Sequence, residues 1–237
     1  MSVYKSIVVL TGAGVSAESG VRTFRDGDGL WEKYRIEEVA TPEAFARDPG
    51  LVHRFYNERR AQLTSGTIRP NPGHLAIARL EREYSGRFLL VTQNVDNLHE
   101  EAGSKNIRHM HGELTKVRCT SCGYVCDWRL PLGMEHACSK CSRSGSLRPH
   151  IVWFGEMPFY MDEITAALET CDLFLSVGTS GLVYPAAMFV RRAGGARKIE
   201  VNMTETGNSD AFDEHVTGPS GTTLPALVDE ILGQPGR

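Results

Sequence analysis

Four cysteines form the most specific pattern in the chain. Cys119-x-x-Cys122 and, fifteen residues on, Cys138-x-x-Cys141 supply four thiolates. Two such pairs fill the tetrahedral shell of one zinc ion and leave no open position, so the metal holds structure rather than activating water. The matched second pair disfavours a redox dithiol. Cys126 and His136 lack the knuckle spacing, and Cys126 and Cys171 are left over.

A second group of chemistry-bearing residues is Gln93-Asn94-Val95-Asp96, directly after the apolar run Arg87 to Thr92. Polar residues just past the carboxyl end of a strand lie in the ligand crevice of a doubly wound sheet. Gln93, Asn94 and Asp96 are therefore candidates to grip ribose hydroxyls and a carboxamide, against the plainer alternative of an Asx-type helix cap. His109 and His111 follow, two apart on one face, and either could act as an acid or base. His111, at a strand end beside Gly112, is the better candidate.

The third group is Gly12-x-Gly14-x-x-Ala17, after the β-branched run Ser6 to Leu10. Strand, glycine turn and helix in that order make a cradle for a dinucleotide pyrophosphate at a helix N-terminus. An ordinary glycine-rich turn is the alternative. Residues 22 to 30 show no strand pattern, so no second-strand acid holds a ribose as in a dehydrogenase, and this segment reads as a flap over the nucleotide.

These groups need elements to place them. Thr41-Pro42 and Asp48-Pro49 are cap-proline helix starts, the second opening a helix to about Leu63, and Asn71-Pro72-Gly73 opens another to about Glu83. On the helix from Pro49, Val52, Phe55, Tyr56, Arg59 and Leu63 share one stripe. An arginine there needs an anionic partner, to which Tyr56 can add a hydroxyl, unless the helix rolls and solvates it. Leu147 to Glu156 reads as an apolar strand whose edge around Val152, Trp153, Phe154 and Gly155 could pair with an extended peptide. A helix near Met161 to Thr170 precedes the strand Leu173 to Val177. Gly178-Thr179-Ser180 forms a second strand-end turn able to touch phosphate or ribose. A helix near Pro185 to Ala193, a strand Lys198 to Val201 ending at Asn202, and a helix Leu224 to Leu232 complete the chain.

At 237 residues the chain can bury a sizeable core. The pattern implies an α/β fold, a Rossmann-like doubly wound parallel sheet with a smaller inserted zinc-ribbon and helical module. The expected division is 1–30, 73–115 and 148–237 for the nucleotide-binding domain, 31–72 for the helical module and 116–147 for the ribbon. A net charge of -3 leaves no basic footprint for nucleic acid, and no apolar stretch is long enough for a membrane span or a signal-peptide core. A cytoplasmic, monomeric protein with reduced thiols is expected.

Taken together these motifs resemble the sirtuins, the NAD-dependent protein deacylases, over nearly the whole chain. The resemblance rests on Gly12-Ala13-Gly14-Val15-Ser16-Ala17-Glu18-Ser19-Gly20 with Thr23-Phe24-Arg25, Gln93-Asn94-Val95-Asp96, His111-Gly112, the paired cysteines, Val152 to Glu156, Gly178-Thr179-Ser180 and Val201-Asn202. Tyr56-Asn57-Glu58-Arg59 is similar to the Tyr-x-x-Arg pair of the bacterial and mitochondrial branch that removes succinyl, malonyl and glutaryl groups. That branch supplies the carboxylate the stripe arginine lacks. Val95 stands where the family commonly has isoleucine, and Asp26-Gly27-Asp28 replaces its usual small flap residues.

The resemblance implies NAD as co-substrate, one structural zinc and acylated-lysine proteins as partners. NAD contacts fall to Gly12, Ala13, Gly14, Ala17, Glu18, Thr23, Phe24, Arg25, Trp31, Gln93, Asn94, Val95, Asp96, Gly178, Thr179, Ser180, Asn202 and Ser220. The acyl-lysine oxygen attacks the ribose C1′ and expels nicotinamide, and neutral His111 then serves as base on the ribose hydroxyls, with Asn94 assisting. Tyr56 and Arg59 read the acyl group, and Val152 to Gly155 align the peptide. ADP-ribosyl transfer to a side chain and a non-catalytic NAD-sensing module are the competing readings.

Overall fold

The computed structural model describes residues 4–21, 30–31 and 34–233. In chain order the first elements are β1 (Ser6–Thr11), α1 (Ala13–Ala17), β2 (Leu30–Trp31), β3 (Tyr34–Arg35), α2 (Ile36–Val39), α3 (Pro42–Arg47), α4 (Pro49–Thr64) and α5 (Pro72–Glu83). Then come β4 (Arg87–Thr92), α6 (Leu98–Ala102), β5 (Ile107–His109), β6 (Gly112–Cys119), β7 (Val125–Asp127) and β8 (Leu147–Ile151). The last are α7 (Met161–Thr170), β9 (Leu173–Val177), α8 (Phe189–Arg192), β10 (Arg197–Asn202), β11 (Glu214–Thr217) and α9 (Ser220–Ile231).

Six parallel strands form the central sheet in the order β5-β4-β1-β9-β10-β11. The chain leaves β1 towards β4 and β5, then returns to build outward from its other side. The order thus reverses at β1, which opens a crevice beyond the carboxyl ends of the strands. Thr11, at the end of β1, is level with Thr92 on one side and Val177 on the other, so three strand ends meet there.

Period-two alternation builds both faces of the sheet. Ile7, Val9, Leu90, Leu175, Val177 and Val201 point to one side, where α5 and α9 cover them through Ile77, Leu80, Leu224 and Val228. Val8, Leu10, Leu89, Val91 and Phe174 point to the other, under Ile164, Leu168, Phe189 and Val190 of α7 and α8. Strands buried on both faces read as continuous apolar runs, as those of the sequence do.

Each cap-proline signal opens a helix. Thr41 Oγ1 accepts from the amide of Ala44 at 3.0 Å, Asp48 Oδ1 from Leu51 at 2.8 Å, and Asn71 Oδ1 from Gly73 at 2.9 Å. The last helix begins at Ser220, four residues before its predicted start, because its cap is remote. Glu18 accepts from the Ser220 hydroxyl and the Gly221 amide, each at 2.9 Å. The predicted strand Leu147 to Glu156 stops at Ile151. There Trp153 to Glu156 turn back on themselves, with Glu156 N donating to Trp153 O and Gly155 at φ +89°. The predicted helix Pro185 to Ala193 begins as a 3-10 turn, Ala186–Met188, before α8.

An antiparallel sheet, β7-β6-β8, stands beside the main one and carries the cysteines. α4 packs against this smaller sheet through Val52, Phe55, Tyr56 and Leu63, on Leu114, Ile151 and Trp153.

Asn71 does more than cap α5, since its amide also donates to Val15 O at 2.7 Å and Ser19 Oγ at 3.0 Å, tying α5 to α1. Replacing it with alanine should lower unfolding free energy by about 1–3 kcal/mol, measured by urea denaturation of the zinc-loaded protein.

Candidate active site and zinc ribbon

Two glycine turns interlock at the floor of the crevice. Gly12 N donates to Val177 O, Gly14 N to Gly178 O and Gly178 N to Val201 O, at 2.9–3.0 Å. A Cβ on Gly12 would lie 2.8 Å from Gly178 O, and one on Gly14 2.7 Å from Gly178 Cα. Gly178 itself has φ +60° and would push a Cβ to 2.4 Å from Val15 N. Here the glycines serve first to let two backbones touch.

The loop 93–96 is clamped from both sides. Gln93 N donates to Thr11 O at 2.9 Å, and Asn94 Nδ2 donates to Gly12 O and Ser16 Oγ at 3.1 Å each. From the other side three consecutive carbonyls are held: Gln93 O by His111 Nδ1, Asn94 O by His109 Nδ1 and Val95 O by Leu114 N. Asp96 is 7% exposed. Burial raises its carboxyl pKa, although the Leu98 amide and the Ser16 hydroxyl, at 3.1 Å each, stabilise the carboxylate.

Ser16 gives its single proton to Asp96, so the His74 Nε2 facing it at 3.3 Å must carry a hydrogen. The Asn71 amide donates to the other nitrogen of that ring, which fixes the tautomer. Burial pushes His74 down to about 4, and His99, 4.8 Å away ring to ring, also lies well below the ordinary range. Both imidazoles are neutral. The sequence reading assigned no role to this buried layer of Ser16, His74 and His99, because nothing local distinguishes a helix-start histidine from any other.

His111 follows β5 in a turn and not in a strand. Its Nδ1 faces Gln93 O at 3.1 Å; a carbonyl only accepts, so Nδ1 bears the proton and Nε2 keeps the lone pair. Burial lowers its pKa below the ordinary 6.5, against the pull of the Gln93 carbonyl. The ring is thus a neutral base of fixed tautomer. Its backbone oxygen accepts from Val152 N at 2.9 Å, which joins it to the segment 152–156.

That segment is braced by charge. Arg148 donates to both oxygens of Glu156, Arg118 adds a third bond, and Glu156 also accepts from Trp153 N at 2.8 Å. The Arg148 guanidinium lies 3.2 Å from the centroid of the Trp153 ring. Trp153 Nε1 in turn donates to Tyr56 Oη at 3.0 Å. Tyr56 is 1% exposed, and burial drives its pKa far up, so it remains a neutral hydroxyl.

Arg60, not Arg59, is the fully buried arginine of α4. It is 1% exposed and donates to Leu114 O, Asn57 Oδ1 and Leu130 O, and burial pushes its pKa down to about 10. Arg59 is half-buried, its guanidinium 4.4 Å from the Phe55 ring centroid. Neutral carbonyls therefore hold Nε and Nη1 of the arginine one position along, and the Tyr56 face turns towards Trp153.

The remaining candidates divide by place. Gly178, Thr179 and Asn202 stay with the crevice; Asn202 Nδ2 donates to Thr179 O at 2.7 Å, and Ser180 Oγ accepts from Leu182 N. Glu18 and Ser220 meet at the start of α9, and Ala13 and Ala17 bound α1. Phe154 is exposed at the tip of the turn and Trp153 is buried beneath it. Thr23, Phe24, Arg25 and the acids Asp26 and Asp28 lie outside the described residues, as does the side chain of Trp31.

Away from the crevice, the four paired cysteines converge. Cys119 and Cys141 sulfurs are 3.7 Å apart, as are those of Cys122 and Cys138, and all four lie within 4.8 Å of one another. A tetrahedron with zinc–sulfur bonds of about 2.3 Å has edges of about 3.8 Å, so the cluster fits one structural zinc. Cys126 and Cys171 stand apart from it.

A family profile described as the Sir2 family matches residues 12–185. The chain belongs to the Sir2 family. Among its relatives are an NAD-dependent protein deacylase of Bdellovibrio bacteriovorus, 58% identical over 98% of this chain and 99% of that one, and another of Shewanella oneidensis, 56% identical over 97% and 95%. A Sir2 homologue solved with NAD is 42% identical and superposes with a TM-score of 0.87, over 97% of this chain and 90% of that one. A second, solved with ADP-ribose, is 41% identical with a TM-score of 0.88, over 97% and 92%. As a Sir2 chain the molecule combines a nucleotide crevice with a four-thiolate ribbon.

Serine at Cys119, Cys122, Cys138 or Cys141 should cut bound zinc well below one ion per chain by elemental analysis. The melting temperature should fall with it, since the metal's binding energy is folding energy for so small a ribbon.

Proposed function

We propose that this chain is an NAD-dependent protein-lysine deacylase that removes succinyl and malonyl as well as acetyl groups and yields nicotinamide and 2′-O-acyl-ADP-ribose. The carrying observation is the fixed, neutral His111, bonded to the same loop whose next residues, Asn94 and Asp96, are packed against the first glycine turn. Bound NAD supplies an electrophilic ribose carbon and the hydroxyls that receive the acyl group.

The residues of the chain do the rest. Gly12, Gly14 and the Gly178 turn give close backbone approach for the pyrophosphate, with Asn202 beyond them for the second ribose. Asn94 and Asp96 orient the nicotinamide end, and Gln93 holds the ribose hydroxyls near His111. The lone pair on His111 Nε2 takes the hydroxyl proton, and a base whose pKa lies below the working pH is ready to do so. Val152, Trp153, Phe154 and Gly155 align the acylated peptide, their backbone fixed by the Arg148–Glu156 brace. Tyr56 and Arg59 read a terminal carboxylate, through a hydroxyl oriented by Trp153 and a charge-assisted fork. We further read residues 31–72 and 116–147 as modules of a smaller domain beside the nucleotide-binding one, and the protein as a cytoplasmic monomer without nucleic-acid or membrane partners. No helix among the described residues is long and apolar enough to cross a membrane.

His111→Ala should reduce deacylation by about 10³-fold or more, while circular dichroism and zinc content stay those of the parent. Because the base works in its neutral form and burial lowers its pKa, the acid limb of the wild-type rate should lie below pH 6.5, the rate falling as pH drops through it. Tyr56→Phe combined with Arg59→Met should cost desuccinylation about 10²-fold and deacetylation about twofold, read on matched peptides. Equal losses on both substrates would make the pair structural.

A further inference from the structure

His109 and His111 reach the same loop from neighbouring positions, yet they meet different surroundings. His111 has one acceptor, Gln93 O, and among the described residues its second nitrogen meets none. His109 has two. Its Nδ1 lies 3.3 Å from Asn94 O and its Nε2 2.6 Å from Glu100 Oε1. A carbonyl has no proton to give, and neither has a carboxylate that is 40% exposed at neutral pH. Neutral imidazole owns a single N–H and would leave one of these acceptors facing a lone pair; the imidazolium satisfies both.

The charges around the ring agree with that demand. Glu100 and His99 face it from α6, Asp96 from the loop, and Glu113 and Lys116 from β6. Glu100 and Glu113 each place a carboxylate oxygen within 4.8 Å of a nitrogen of the ring, while Lys116 is spent on Glu113 at 2.7 Å and His99 is neutral. Burial is the largest influence on His109 and opposes its charge, but the Glu100 bond, the charges of Glu100 and Glu113 and the Asn94 carbonyl together outweigh it and raise the pKa, as Glu100 is lowered in return despite its own desolvation.

We infer that His109 is a positioning residue for the deacylation reaction: as a doubly donating imidazolium it ties Glu100 of α6 to the Asn94 carbonyl and thereby sets the loop that holds NAD. Losing that proton breaks one of the two bonds and loosens Asn94. The reaction then has an alkaline limb owned by His109, separate from the acid limb owned by His111. This rests on the reading of residues 93–96 as NAD contacts.

The test uses the full zinc-loaded chain and two variants, Glu100→Gln and His109→Gln. Nitrogen NMR of the wild type should find both His109 ring nitrogens protonated at pH 7. NAD affinity by calorimetry and kcat/KM for NAD, each followed from pH 6 to 9.5, should fall on the alkaline side with the ring's titration. In Glu100→Gln that limb should move down by about one pH unit, with the acid limb in place. In His109→Gln it should vanish, with KM for the acyl-peptide unchanged. A neutral ring at pH 7, or an alkaline limb that stays where it was in Glu100→Gln, overturns the inference. Glu100 is exposed, so that variant decides the matter even where His109→Gln folds poorly. Absence of turnover in the wild type would sink the deacylase reading alone, since the calorimetric titration needs no chemistry.

Discussion

Backbone contact between the turn at Gly12–Gly14 and the turn at Gly178 constrains everything around the crevice. The two turns bond amide to carbonyl with no room for a methyl group between them. That contact sets how closely β1 and β9 end side by side. It also fixes where Gly12 O lies, and Asn94 binds Gly12 O. From Asn94 the geometry passes through the loop carbonyls to the His111 ring. A chain of single hydrogen bonds thus runs from the sheet switch point to the His111 ring, through the Asn94 side-chain amide and the Gln93 carbonyl.

The polar interior obeys one electrostatic rule. Where an ionisable group is buried without a counter-charge it is held neutral, as His74, His99, His111 and Tyr56 are. Where charge is kept, it is paired or wrapped in acceptors. Arg148 and Glu156 form the paired case, and Arg60, whose Nε and Nη1 meet carbonyl oxygens, the other. His111 belongs to the first kind, and the turn from Trp153 to Glu156 is stiffened by the second.

Local signals were legible where local physics decides. The cap-proline dipeptides at Thr41, Asp48 and Asn71 each satisfy their helix from within four residues, and the glycine turns and cysteine knuckles declare themselves by spacing. The stripe of α4 is inward at Val52, Phe55, Tyr56 and Leu63, and only its arginine differs. Amphipathic period alone put Arg59 inward, whereas the carbonyls of Leu114 and Leu130, distant in sequence, draw in Arg60 instead. The end of β8 was overrun for a similar reason, since the turn at Trp153 depends on Arg148 holding Glu156. His111 could be picked out beside Gly112, but its tautomer could not, because that follows from Gln93 O across the sheet.

The Glu18 cap of α9 joins residues 202 and 203 positions apart. During synthesis the ribosome releases α1 long before its partner exists. Until the final helix emerges, the carboxylate beside the nucleotide turn faces water and the face of α5 that α9 covers is bare. The first glycine turn is therefore among the last features to be braced, and a prematurely terminated chain would carry Gly12 to Gly20 without the helix that Glu18 caps.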